Sequence, residues 1–183
     1  MRRKDREMDK EFGFEIIDKA QYGILSMLAE GNRPYGIPLS FVREENVLYF
    51  HSAKEGRKVE ALAKDDRVSV TFVGEVKVPE LYTNQELDEV VKNEAGAALL
   101  ISKVFTVEFQ SAIVTGRVKL VEAEAEKVKS MKLICEKYTP TKMAYFDLAI
   151  RAGLSKTNVY RVEIEEVTAK RKKYGDDGKE IKN

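Results

Sequence analysis

His51 is the only histidine in a chain of 183 residues, and it stands directly after the apolar run Val47–Phe50. Ser52, Lys54, Gly56, Arg57 and Lys58 follow within seven positions. An imidazole, a hydroxyl, a glycine and three cations this close together could ligate a metal, move a proton or hold an anion. The metal reading lacks partners. A structural zinc site takes four Cys or His ligands, and Cys135 is the sole cysteine. The sequence establishes no serine–histidine–acid arrangement, and it contains neither a P-loop nor G-x-G-x-x-G. Gly74, Gly96 and Gly116 are too scattered to cradle a phosphate.

The anion reading has a physical basis. Ser52 and Glu55 have the S-x-x-E spacing of a capping box, which predicts a helix start at the serine. Val59, Leu62 and Ala63 then share one face of that helix. The first N–H groups of a helix lack partners and carry partial positive charge, so an anion is stabilised there. Lys54 and Lys58 fall on one helical face, with Arg57 beside it. Gly56 would cost a helix about 1 kcal/mol relative to alanine, which close approach of a ligand would explain. A phosphate on the helix start, Arg57 and Lys58 is one reading. A solvated helix with a capping box and no ligand is the other, and spacing leaves both open.

The elements that would carry these residues are mostly strands. "FGFEIIDKA" reads as an amphipathic helix, with Phe14, Ile16 and Ile17 facing the core. Residues 22–43 read as a β-hairpin turning at Gly31, Asn32 and Pro34. Pro38 cannot donate to a ladder, so it belongs at an edge, a bulge or a site mouth. "ENVLYFHS" is the next strand, and "RVSVTFVGEV" follows the helix with Val68, Val70 and Phe72 alternating inward. Residues 79–103 lean helical as an excursion. "VFTVEFQSAIVTGRVKLVEA" is one bent strand or two, residues 122–153 give two helices split at Pro140, and "TNVYRVEIEEVTAKRK" closes with a strand. Cys135, beside Leu133 and Ile134, reads as a buried, inert thiol.

These strands with short turns predict a single β-rich domain over residues 1–170, followed by a solvated, partly disordered basic tail at 171–183. The net charge of +1 gives no global attraction for nucleic acid. The charged leader is unlike a signal peptide and no apolar run reaches transmembrane length, so the expectation is a cytoplasmic protein with no membrane partner.

Several stretches in register resemble one family. "MRRKDREM" at the start, "RPYGIPLSFV" at 33–42, "LYFHSAKEGRK" at 48–58 and "VFTVEFQSAIVTGRV" at 104–118 are similar to the 5-nitroimidazole resistance proteins. That group lies within the pyridoxamine 5'-phosphate oxidase-like, FMN-binding split-barrel family. The closing "TNVYRVEIEEVTAK" also fits that family's last strand. The resemblance implies an α+β fold built on a six-stranded antiparallel split barrel of Greek-key type. It implies a homodimer with two FMN sites at the subunit interface.

Carried over by motif, Phe50, His51, Ser52 and Ala53 would line the flavin and its ribityl chain, with Gly56, Arg57 and Lys58 at the phosphate. Pro38, Leu39, Ser40 and Phe41 would border the isoalloxazine ring. Gln110 and Ser111 would complete the site from the partner subunit. His51 matches the active-site histidine. The implied activity is FMN-dependent reduction of a small-molecule nitroaromatic, such as a 5-nitroimidazole. Two other readings stand beside it, a flavin-binding module without turnover and a haem-binding or haem-degrading split barrel. Oxidation of pyridoxamine phosphate itself is disfavoured, because only one phosphate-binding cluster is evident.

Overall fold

In the computed structural model, residues 2–92, 96, 98 and 100–182 are described. Their strands are β1 (Glu7–Met8), β2 (Gly23–Ala29), β3 (Arg33–Leu39), β4 (Val42–Glu44), β5 (Val47–Ala53), β6 (Arg67–Lys77), β7 (Glu108–Leu120) and β8 (Thr157–Lys172). The helices are α1 (Lys10–Lys19), α2 (Arg57–Lys64), α3 (Asn84–Val90), α4 (Glu124–Tyr138) and α5 (Phe146–Gly153). All eight strands join one antiparallel sheet in the order β3-β2-β6-β7-β8-β5-β4, with β1 added to β8. The two ends of that order, β3 and β4, are separated by only Ser40 and Phe41 in the chain. Two residues reach about 7 Å, so the sheet must curl until its edges nearly meet. No ladder joins those edges among the described residues, which makes this a barrel split along one seam. The architecture is the α+β split barrel that the resemblance implied, with short β1 and β4 added to six longer strands.

Curvature is introduced at two irregularities. Opposite β7, β8 carries an extra residue between Glu166 and Ile164, and Gly116 faces that bulge. A Cβ on Gly116 would lie 2.2 Å from the Glu163 carbonyl oxygen, so the strands approach there as only glycine allows. The β6–β7 register shifts between Val73 and Val76, where Gly74 accommodates Gln110.

Two apolar clusters hold the domain. The barrel interior takes Leu25, Phe41, Leu48, Phe50, Val70, Phe72, Val114 and Val162, plugged at one end by Ile16 and Ile17 of α1. Val68, Val70 and Phe72 alternate inward as their period predicts. Outside the barrel, α4 lays Ile134 over Val42, Tyr49, Val121 and Val159. Burial and a hydrogen bond to Glu126 push the Tyr49 hydroxyl up to about 12. Cys135, on the same helix, is half-buried rather than fully enclosed.

Several expectations change. The capping box does not form at Ser52, because β5 continues through Ala53 and α2 begins only after Gly56. Lys54 is therefore not on the helix, and the Lys54–Lys58 face disappears. A reciprocal capping box occurs instead at Thr83 and Glu86, opening α3. The excursion at 79–103 is helical at α3 and in a π turn at Leu100–Val104, while positions 93–95, 97 and 99 lie outside the described residues. The 122–153 segment divides after Tyr138 as expected, with a 3₁₀ stretch from Pro140 to Tyr145 between α4 and α5.

The boundary at residue 170 also shifts. Strand β8 runs on to Lys172, Tyr174 is buried, and Arg6 holds Glu180 through two hydrogen bonds of 2.5 and 3.0 Å. Position 183 lies outside the described residues. No helix among the described residues is long and apolar enough to cross a membrane.

Candidate functional site

The pleat of β5 sorts its last residues between two faces. Phe50 and Ser52 turn into the barrel, while His51 and Ala53 turn outward and remain exposed. Phe50 is 0% exposed, tilted against Phe41 at 5.3 Å and stacked on Tyr160 at 5.0 Å. Ser52 is 7% exposed, and its hydroxyl donates to the Ala53 carbonyl at 2.6 Å. Neither the Phe50 ring nor the Ser52 hydroxyl is presented outward, whereas the side chains of His51 and Ala53 are. Strand alternation imposes this, because two neighbours on one strand cannot both face one ligand.

Past β5 the chain turns at Gly56, whose φ of 112° lies in the region that glycine alone adopts easily. A Cβ there would meet nothing within 4 Å, so conformation and not close approach requires the glycine. The first bond of α2 runs from the Glu60 N–H to the Gly56 carbonyl at 3.1 Å. The N–H groups of Arg57, Lys58 and Val59 precede that bond, and no side chain caps them. An uncapped helix start flanked by two cations is an anion receptor. The helix start thus lies at Gly56 rather than at Ser52.

Its two cations diverge. The Arg57 guanidinium stacks on the Tyr35 ring at 4.2 Å and faces a cleft of about 520 Å³ shared with Glu30, Arg33, Glu60 and Lys64. Lys58 is half-buried, and its charge acts on His51. Desolvation first, and the Lys58 ammonium second, hold His51 below its ordinary 6.5. Desolvation also lowers Lys58. The lowering favours the neutral imidazole, which can donate a hydrogen bond from one ring nitrogen.

With a depressed folded-state value, the unfolded chain takes up a proton first, so stability falls as pH drops from about 6.5 through the folded-state value. NMR titration of His51 is expected to give a midpoint below 6.5, and Lys58→Ala should move it upward. An unmoved midpoint would separate the two groups.

The other predicted site residues fall in two places. Pro38 is exposed at the end of β3, with Leu39 and Ser40 half-buried behind it. Phe41 is 0% exposed and meets Phe72 edge-on at 5.6 Å. Its ring belongs to the core, so only its backbone is available at the bend. Gln110 and Ser111 are not brought to His51. Gln110 lies opposite Arg171 on β8, whereas His51 lies opposite Val159. Those twelve residues of β8 make a contour of about 40 Å. Within one chain, Gln110 instead packs over Gly74 and lines a cavity of about 580 Å³ with Phe12 and Tyr22.

Three contributors were not picked out from the sequence. Tyr35 receives Arg57, and its place within "RPYGIP" offered a weak signal. Lys137 and Tyr138 reach the Ser40–Phe41 bend from 97 residues away, and no local pattern announces such a contact.

The comparisons with known proteins agree with this fold. Residues 9–171 match the pyridoxamine 5'-phosphate oxidase family. The chain belongs to that family. Among solved structures, it resembles a candidate 5-nitroimidazole antibiotic resistance protein from Bacteroides thetaiotaomicron, with a TM-score of 0.67 and 24% identity, covering 90% of this chain and 86% of that one. An FAD- and haem-binding protein from Mycobacterium smegmatis shares the fold at a TM-score of 0.67 and 15% identity, covering 95% and 78%. An FAD-binding protein from Mesorhizobium loti does so at 0.59 and 17%, covering 91% and 96%. No curated protein matches. The start of α2 adjoins the outward face of β5, since the Lys58 charge reaches His51.

Proposed function

We propose that this chain is an FMN-binding oxidoreductase that reduces small nitroaromatic molecules, 5-nitroimidazoles among them. The carrying observation is the uncapped start of α2, flanked by Arg57 and Lys58 and adjoining His51. Family membership and the likeness to the candidate nitroimidazole resistance protein support the choice of flavin and of substrate class.

The residues fit such a cofactor at its phosphate. Three backbone N–H groups of α2 and the Lys58 ammonium would meet the phosphate dianion, with Arg57 reaching it from the Tyr35 side. FMN, once reduced by an external electron donor, would supply two electrons per cycle, so that three cycles would take the nitro group to an amine. His51 would donate a hydrogen bond to a nitro oxygen as negative charge develops there, which a neutral imidazole can do. Gly56, Ala53 and the exposed Pro38 leave room for the remainder of the cofactor.

The site would be completed in a homodimer. The outward-facing positions of β3, β2, β6 and β7 carry Pro34, Gly36, Leu28, Val73 and Ile113 at the surface. Such a face is the kind that a second copy covers. A partner's Gln110 and Ser111 could then supply what one chain holds far from His51.

His51→Ala is expected to keep FMN while slowing nitroimidazole-dependent reoxidation of the reduced flavin about 100-fold under anaerobic conditions. Stopped-flow absorbance reads this directly. Reoxidation at the wild-type rate would take His51 out of the chemistry.

A further inference from the structure

The Ser40–Phe41 bend lies outside both neighbouring ladders, since β3 pairs only through Leu39 and β4 only from Val42. It is nevertheless held at four points. The Phe41 N–H donates to the Tyr138 hydroxyl oxygen at 3.0 Å, and that hydroxyl donates to the Phe41 carbonyl at 2.8 Å. The Lys137 ammonium donates to the same carbonyl at 3.0 Å and to the Ile17 carbonyl at 3.2 Å. The Tyr138 hydroxyl also meets the Ser40 side chain.

We propose that Lys137 and Tyr138 are positioning residues that fix the Ser40–Phe41 bend, and through it the Pro38–Phe41 segment that faces the isoalloxazine ring. The proposal rests on the flavin reading above. Three elements meet at this one point: the last turn of α4, the seam between β3 and β4, and the end of α1. Ile17 is among the last residues of α1, so its carbonyl has no partner within the helix, and a cation is favoured there. Half-burying an ammonium is costly, and desolvation lowers Lys137 accordingly. An apolar side chain could fill the space, but it could not join a carbonyl of α1 to a carbonyl of the bend. With the Phe41 N–H and C=O both occupied, the bend is rigid without being part of a sheet. A ring-contacting segment needs that property, because a backbone displaced by 1 Å weakens every contact it makes.

This role is separable from phosphate binding. Tyr138→Phe and Lys137→Met should each weaken FMN and riboflavin by the same factor, about tenfold, because ring contacts are common to both flavins. The absorption band and midpoint potential of bound flavin should shift as well, which simple loss of stability would not cause. Lys137→Arg, which keeps the charge and donors, should restore both. Should Tyr138→Phe fail to fold, Lys137→Met carries the comparison, since it leaves the bonds of Tyr138 in place. Variants that bind both flavins like the wild type, with the same spectrum, would overturn the clamp alone. A wild-type chain that binds neither flavin would overturn the functional reading and the proposal with it.

Discussion

Arg57→Ala combined with Lys58→Ala is expected to yield protein that purifies without flavin and binds added FMN at least about 100-fold more weakly. A hydrogen bond to a charged group contributes about 1.5–3 kcal/mol, so losing two such contacts removes about 3–6 kcal/mol. The helix start itself remains, because its N–H groups belong to the backbone and Gly56 still sets the turn. Residual affinity should reflect those N–H groups and any ring contacts. Stability should barely change, since Arg57 is exposed and no salt bridge involves either residue among the described contacts. Fluorescence titration with FMN, paired with a urea melt, separates the two effects. Wild-type affinity in the double variant would move the phosphate elsewhere, and the cleft carrying Arg33 and Lys64 would be the next place to look.

Phe50→Ala should do the reverse. The ring is fully buried between Phe41 and Tyr160, so its removal leaves a cavity in the barrel interior. Such truncations cost about 3–5 kcal/mol, a large share of the roughly 5–15 kcal/mol by which a domain is stable. The urea midpoint should fall steeply, with little change in the slope of the transition. Phe50→Leu sharpens the point. A ring that lined the flavin would give that variant an altered flavin spectrum at near-normal stability. Burial predicts reduced stability and an unaltered spectrum.

The contrast between these variants shows what the sequence could and could not convey. The strands were legible because hydrophobic alternation repeats locally, as in Val68, Val70 and Phe72. The barrel followed from short turns and from motifs in register. The helix start was misplaced by four residues, because Ser52 and Glu55 have capping-box spacing while β pairing with Asn158 keeps Ser52 in the sheet. Tertiary pairing overrode a local signal there. Adjacent residues such as Phe50 and His51 read alike in a motif, yet the pleat sends one into the core and the other outward. The clamp at Phe41 was invisible, since its donors come from a helix far along the chain. The depressed His51 arises first from desolvation that only folding creates, and second from Lys58, seven residues away.

The central claim is that the start of α2 holds the phosphate of a flavin, and it is tested most directly by titrating the purified chain with FMN and with riboflavin side by side. The two ligands differ only in the phosphate. Flavin absorption is expected in the purified protein, with FMN bound at least about 100-fold more tightly than riboflavin. Equal affinity for the two, or a Soret band with no flavin absorption, would contradict it.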